Sequence, residues 1–467
     1  MIAMKRVLCL LLALLLFAPA IPVTAEETPG NYPAVQIDPD TGKPYDFEGK
    51  TVFIYLPYTM GDWEKNHAYG NEELYQYRMW LQKTYNCKIA FAKLGDFMTY
   101  TDKAVQFCKN PKGKLGILLP FDTSLAKLLQ ANVLADWKKS TLIDLSDPMW
   151  DATVTKWMTI NGGVYGIYPG VPQGDTLLYF NKDVLKKAKI DWESIYDMQA
   201  NGTWTWDKLE SMLKKINALT KKGAKKKIWP ISASEIDLYT IAVFSNGGDF
   251  FHFNSKKQFV VGASAKKTVE ALKWGKNLYK KYAYQPVESD SWDYANARFK
   301  EGSIGFYVGS VSQGFSVNPE FASMKGEWGC VAFPKGPQGK QYAFNQGHSS
   351  VYVTSKAYDQ KTLSMLSMIL DMWTRDVPGV QSASADPAAY YDHTDKRAVD
   401  ETFPMTRQGK YIVSDLTLFV GSRNDVLAVS LLWNLESAKD VEKLAKQFVA
   451  KWKKDCAALN KAFAALQ

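Results

Sequence analysis

Residues 51–57 read TVFIYLP, a short run of apolar, β-branched and aromatic residues stopped by a proline. A half-buried strand would alternate polar and apolar residues, so an unbroken run of this length fits a strand covered on both faces, as inside a parallel sheet. Working outward, the pattern predicts a helix over 72–85, a strand over 88–92, a second helix, and an apolar strand over 115–120, LGILLP. Strands alternating with helices at this spacing build parallel βαβ units, which makes the fold class α/β. Open sheets of that kind take ligands beyond the carboxyl ends of their strands. Residues 58–63 and 121–124, each following an apolar strand, are therefore expected at a ligand edge.

The middle of the chain repeats this logic. Residues 163–169 (GVYGIYP) and 176–180 (TLLYF) read as extended, and Asn181 opens a helix containing Val184 and Leu185. Thr205 is expected to cap a helix whose Leu209, Met212, Leu213 and Ile216 recur at helical spacing. Val269, Leu272 and Leu278 mark the apolar side of a helix over 264–282. Strands are expected at 303–308, 328–334 and 351–354, and helices at 359–373, 426–436 and 440–463.

The chain has 467 residues, 46% hydrophobic and 22% charged, which excludes disordered, collagen-like and disulfide-miniprotein classes. A prior of roughly 150 residues per domain suggests two or three domains. Residues 1–25 read as a secretory signal: Lys5 and Arg6 precede an apolar run over 7–18, and VTA at 23–25 resembles a cleavage site after Ala25. Met4 is an alternative start. Twelve helical residues span about 18 Å, short of the roughly 30 Å hydrocarbon core, so this run is not expected to span a membrane. Lipidation at Cys9 is not expected, because Leu8 stands where such signals place a small residue. Removing Lys5 and Arg6 lowers the formal charge from +9 to +7. That excess lies mostly on solvated helix faces and in KKGAKKK at 221–227, and no nucleic-acid motif accompanies it. Residues 26–50 read as an extended leader. Cys87, Cys108, Cys330 and Cys456 remain, and Cys87 with Cys108 is the expected disulfide, since the two are close in sequence and flank a strand-to-helix unit. No pair has CxxC spacing, and DPDTG at 38–42 lacks the closing Glu of a calcium loop, so no metal and no cofactor are expected.

Several motifs then carry a resemblance. NGGVYGIYP at 161–169, LYFNKDVLKKA at 178–188 and TWTWDKL at 203–209 look like the central signature of family 1 extracellular solute-binding proteins, the maltose-binding-protein-like receptors of ABC importers. NGGD at 246–249, FKEGSIGF at 299–306 and WGCVAFPKGP at 328–337 follow in the family's order. Two departures stand out. GILLPFD at 116–122 lacks the usual Asp-Val pair, and GSVS at 309–312 replaces a Gly-x-Trp, removing one expected stacking aromatic.

The resemblance implies a two-lobed periplasmic-binding-protein fold of type II, a Venus flytrap with hinge crossings. The N-terminal lobe is expected over 51–169 and 343–378, and the C-terminal lobe over 174–334 and 379–467. It further implies an exported, periplasmic or cell-surface monomer that takes a small molecule or oligosaccharide and docks on a membrane permease. Sugars need aromatic faces for their C–H surfaces and paired polar groups for their hydroxyls. By strand-end position the polar candidates are Asp62, Asp122, Asp175, Glu235, Asp237, Ser310, Ser312, Arg423 and Asn424. The stacking candidates are Tyr58, Trp63, Tyr239 and Trp292. Glu235 and Asp237 have N-capping as their bland alternative, and Arg423 a pairing with Asp425; Trp204, Trp206, Trp274 and Trp373 are expected in the core. Rival ligands are a polyamine, a glycerophosphodiester or a sugar acid. A secreted carbohydrate-active enzyme is the other rival, but the four histidines show no HExxH, triad or GxSxG context.

Overall fold

The computed structural model describes residues 32–60, 72–96, 98–220, 227–314, 321, 324, 326–346, 351–377, 395–420 and 431–466. The first sheet forms around β1 (Thr51–Leu56), flanked in parallel by β2 (Lys88–Lys93) and β3 (Leu115–Leu118). Helices α1 (Glu72–Thr84) and α2 (Tyr100–Lys109) make the connections, and α3 (Asp122–Gln130) follows β3. The apolar run is explained by two-sided burial. Val52, Ile54 and Leu56 enter one hydrophobic cluster, while Tyr55 enters another with Phe53 packed against it. A short strand, Val353–Thr354, closes the sheet antiparallel to β3.

A second sheet contains β4 (Leu177–Asn181), β5 (Trp229–Ser232), β6 (Ile304–Gly309) and β7 (Trp328–Ala332), in the order β5-β6-β4-β7. It is mixed rather than parallel throughout: β5 and β6 run together, but β4 is antiparallel to both β6 and β7. Around it stand α4 (Lys182–Lys187), α5 (Trp206–Asn217), α6 (Glu235–Ser245), α7 (Lys266–Tyr282) and α8 (Tyr294–Lys300). Asn181 caps α4 as expected, accepting from the Val184 N–H. Thr205 precedes α5 but its hydroxyl makes no cap bond; the Trp206 N–H instead donates to the Lys335 carbonyl. The tryptophans around it pack inward. Trp204 is fully buried with its indole N–H on the Ala332 carbonyl, and Trp206 stacks on Trp274 at 3.9 Å between ring centroids.

A narrow ribbon lies between the sheets, with Phe344–Gln346 at its centre, antiparallel to Gly174–Asp175 and parallel to Ile412–Val413. Helix α9 (Gln360–Thr374) lies against the first sheet, and α10 (Val441–Ala464) packs on both α7 and α3. Its end is held by two side chains before the ribbon: the Asn161 amide donates to the Phe463 carbonyl and the Asn132 amide to the Ala465 carbonyl at 3.0 Å. No helix among the described residues is long and apolar enough to cross a membrane.

Two expectations are corrected. The segment 32–50 is not extended throughout: Ile37–Asp38 folds back to pair with Lys43–Pro44, Tyr45 and Phe47 are buried, and Asp38 forms an ion pair with Lys361 at 2.9 Å. The Cys87–Cys108 disulfide is absent, and both thiols are free and buried. They belong to different hydrophobic clusters, so proximity in sequence does not bring them together. Burial pushes the thiols of Cys87, Cys108 and Cys456 up to about 12, and that of Cys330 well above its ordinary value. A thiol-directed disulfide reagent is therefore expected to leave the native protein unlabelled near neutral pH and to titrate these four cysteines only after denaturation. Rapid labelling of Cys87 or Cys108 in the native state would contradict this packing.

Candidate functional site

The carboxyl ends of β5 and β6 and the amino end of β4 meet at one edge of the second sheet. Three loops end there, and five of the expected polar residues lie on them: Asp175 just before β4, Glu235 and Asp237 on the first turn of α6 after β5, and Ser310 and Ser312 after β6. The contacts tie several of these together. One Asp175 carboxylate oxygen, Oδ1, accepts from the Ser310 hydroxyl and from the Val311 N–H, both at 2.7 Å. Ser310 and Ser312 hydroxyls are 2.9 Å apart. The loop has a second lock in Gln313, whose Oε1 accepts from the Ser310 N–H and from the Tyr307 hydroxyl. Gly309 is required at its start, because a Cβ there would come within 2.2 Å of the Tyr307 ring.

On α6 the cap is Ser234, which accepts from the Asp237 N–H, so neither Glu235 nor Asp237 serves as the N-cap. The Ser234 hydroxyl donates back to Asp237 at 2.7 Å. Crowding by protein pushes the Asp237 carboxyl above the usual carboxylate range despite the residue's solvent access, and the Asp175 charge adds to that rise. A helix N-terminus favours negative charge here, which keeps two carboxylates tolerable side by side.

Tyr239 is a correction. It is fully buried and its hydroxyl donates to Glu436, so its ring is core and not a platform. Trp292 is the opposite case, 92% exposed on the loop entering α8. That loop is well braced: Asp290 accepts from the Val287 N–H, the Tyr284 hydroxyl and Arg298. Two residues beyond Trp292, the Tyr294 hydroxyl donates to the Ala233 carbonyl, fixing the start of α8 at the same sheet edge as Glu235.

At the carboxyl edge of the first sheet, Tyr58 is half exposed. It lies close enough to Tyr100, Tyr168 and Tyr352 to help raise the pKa of each phenol, after the larger effect of their burial. Tyr168 and Tyr352 stack at 6.1 Å, held by paired backbone bonds between Ile167 and Tyr352. Nearby, the Arg78 guanidinium lies 4.1 Å from the centre of the Trp373 ring, and burial draws its pKa down to about 10. Asp62, Trp63, Arg423 and Asn424, and the side chain of Asp122, lie outside the described residues.

Sequence reasoning missed Tyr168, Tyr352 and Asn345. Tyr168 stands inside the quoted GVYGIYP motif, and Tyr352 one residue before a short strand, so strand-end position would have found both. Asn345 lies directly across from Asp175, and its buried side-chain carbonyl lacks a partner among the described residues. Nothing in its sequence context marks it. No group of His, Cys, Asp and Glu side chains that could hold a metal ion occurs among the described residues. Hydroxyls and carboxylates gather at an edge of the second sheet and tyrosine rings at an edge of the first, groups of the kinds that hold a polar ligand.

A sequence profile of bacterial extracellular solute-binding proteins matches residues 83–366. No curated protein sequence matches the chain. Among solved structures, similarity extends to UspC of M. tuberculosis, with 15% identity, a TM-score of 0.58, and coverage of 88% of this chain and 100% of that one. The GacH receptor of Streptomyces glaucescens, solved unliganded and with acarbose, gives 15% identity, a TM-score of 0.56, and 87% and 99% coverage. The maltose-binding protein MalE of Listeria monocytogenes, in complex with maltose, gives 17%, 0.55, and 88% and 98%. These likenesses establish the two-lobed α/β architecture.

Proposed function

The chain belongs to the bacterial extracellular solute-binding proteins, and from that premise we propose that it captures a carbohydrate between its lobes and delivers it to the membrane permease of an ABC importer. The observation that carries this reading is the joined set Asp175, Ser310 and Ser312, with Asp237 near enough to feel the Asp175 charge, at one sheet edge, and Tyr58, Tyr168 and Tyr352 at the edge of the other sheet. Vicinal hydroxyls can donate to carboxylates and accept from serines, while tyrosine rings cover the C–H faces of a pyranose. The acarbose and maltose complexes of two structural relatives point the same way. Closure is favoured only if the ligand touches both lobes, since a ligand gripping one lobe has no preference between open and closed forms. In this reading the lobes span 51–169 with 343–378 and 174–334 with 379–467, the 25-residue signal is removed, and no bond in the ligand is broken.

Calorimetry and thermal shift with a maltooligosaccharide panel test the ligand class. Stabilisation by a sugar, with compaction in small-angle scattering, is the expected result. Stabilisation by a polyamine or glycerophosphodiester and by no sugar would replace the carbohydrate reading, and product formation from a polysaccharide would replace the receptor reading.

The Asp237 carboxyl supplies a pH signature. Its pKa is raised in the folded protein, so protonation begins at higher pH than for an ordinary Asp near 3.9. A carboxylate that accepts ligand hydroxyls loses that capacity on protonation. Sugar affinity is therefore expected to fall on acidification, beginning at a higher pH than an ordinary Asp would give, and Asp237→Asn should bind more weakly at pH 7 with the pH dependence flattened. An unchanged pH profile in that variant would remove Asp237 from the ligand contacts.

A further inference from the structure

The loop after β6 spends its hydrogen-bond donors on itself. The Ser310 N–H goes to Gln313 Oε1 at 2.9 Å and the Val311 N–H to Asp175 Oδ1 at 2.7 Å. The Ser312 N–H goes to Ser310 Oγ and the Gln313 N–H to the Ser310 carbonyl, both at 3.2 Å. A loop built to hold a phosphate or carboxylate does the reverse, turning successive backbone N–H groups toward the anion.

The side chains follow the same order. A carboxylate oxygen only accepts, so in its 2.7 Å contact with Asp175 Oδ1 the Ser310 hydroxyl gives up its single proton. Ser310 Oγ then has two lone pairs left, and it receives the Ser312 N–H at 3.2 Å and the Ser312 hydroxyl at 2.9 Å. The donor between the two serines is thereby fixed: Ser312 gives and Ser310 takes. The relay runs one way, from Ser312 through Ser310 to the carboxylate, and each bond polarises the next. Serines in general donate or accept, but turning the Ser312 hydroxyl outward as a donor would break its bond to Ser310. Acceptance by its own lone pairs breaks nothing. Ser312 is exposed, whereas Ser310 is half-buried and has no donor or lone pair to spare. Asp175 keeps Oδ2, which has no hydrogen-bond partner among the described residues. Both oxygens left over at this loop are acceptors, and the neighbouring Asp237 carboxyl, which feels the Asp175 charge, adds a group of the same sign.

We infer that Ser312 and Asp175 Oδ2 select for donors: they accept from hydroxyls of an uncharged sugar and discriminate against a sugar acid or sugar phosphate, a preference that rests on the carbohydrate reading and narrows it. Calorimetry with the intact protein compares maltotriose with an α-1,4-linked trigalacturonate, then with maltotriose derivatives in which single hydroxyls are replaced by hydrogen or by fluorine. Fluorine accepts weakly and never donates. Maltotriose is expected to bind at least about tenfold more tightly than the trigalacturonate. At the hydroxyls read by this loop, the deoxy and fluoro derivatives should lose affinity equally, by about fivefold. Ser312→Ala should weaken maltotriose by about the same factor and cancel the loss at one of those positions. Asp175→Asn puts an N–H donor where Oδ2 stands, so the preference for maltotriose over trigalacturonate should shrink to about twofold. Tighter binding of the trigalacturonate would overturn the inference and leave the carbohydrate reading in place. So would fluoro derivatives that keep affinity wherever the deoxy derivatives lose it, or a Ser312→Ala protein with unchanged affinity throughout. Binding of no sugar, neutral or acidic, would remove both the inference and the carbohydrate reading.

Discussion

Replacing Asp175 by Ala is expected to weaken sugar binding by about 100-fold or more, the largest effect of any single change in the candidate site. The argument rests on what one carboxylate oxygen does. It accepts from the Ser310 hydroxyl and the Val311 N–H, both at 2.7 Å, and so ties the strand entering the second sheet to the loop leaving β6. Hydrogen bonds to a charged group are worth about 1.5–3 kcal/mol each, and 1.4 kcal/mol is about a factor of ten. Without the carboxylate, the Val311 N–H loses its acceptor and the serine loop keeps the Gln313 lock and the Tyr179 hydroxyl on the Ser310 carbonyl. Asp175→Asn separates charge from shape. An Asn oxygen can still accept both bonds, so about a tenfold loss is expected, with most of the folding stability retained. Ser310→Ala should fall between the two. Calorimetric titration of the three variants checks the order, and an Asp175→Ala protein that folds and binds with unchanged affinity would move the site elsewhere.

The parts of this fold legible in the sequence were those under a single dominant constraint. TVFIYLP could only be satisfied by burial on both faces, and β1 lies between two parallel neighbours with side chains in two separate cores. The same two-sidedness defeated the disulfide expectation, because Cys87 and Cys108 lie in different cores although only 21 positions separate them. Strand direction in the second sheet was less legible. The run at Leu177–Asn181 is equally apolar whether its neighbours are parallel or antiparallel, and it is antiparallel to both.

The candidate site shows the same division. Asp175, Glu235, Asp237, Ser310 and Ser312 lie at one edge because each follows or precedes a strand at the same end of the second sheet. Tyr239 was misread by the same rule. It lies on α6 within LYTIAVF at 238–244, a segment buried all round, and a lone aromatic in such a segment belongs to the core. Asn345 illustrates a different gap: its position opposite Asp175 depends on a pairing between segments 170 residues apart, which local pattern does not encode.

Trp292→Ala is expected to lower affinity for oligosaccharides about tenfold while leaving the melting temperature unchanged. A tryptophan 92% exposed contributes little to folding, and surface changes of this kind usually fall within about 0.5 kcal/mol. Its exposure is not the result of a loose loop. Asp290 gathers the Val287 N–H, the Tyr284 hydroxyl and the Arg298 guanidinium, and these partners hold its carboxyl below the usual range. Thus the indole is presented on a braced loop at the edge that carries Glu235, and covering it with a sugar face recovers apolar area at about 25 cal/mol per Å² with little ordering cost. For roughly 60 Å² of covered ring that amounts to about 1.5 kcal/mol, the basis of the tenfold figure. Trp292→Phe should keep part of the effect, because a smaller ring still offers a face. Calorimetry with sugars of increasing length gives the sharper comparison: a rim platform should matter for longer oligomers and little for a monosaccharide. An Ala variant with wild-type affinity for every length would leave Trp292 outside the sugar site.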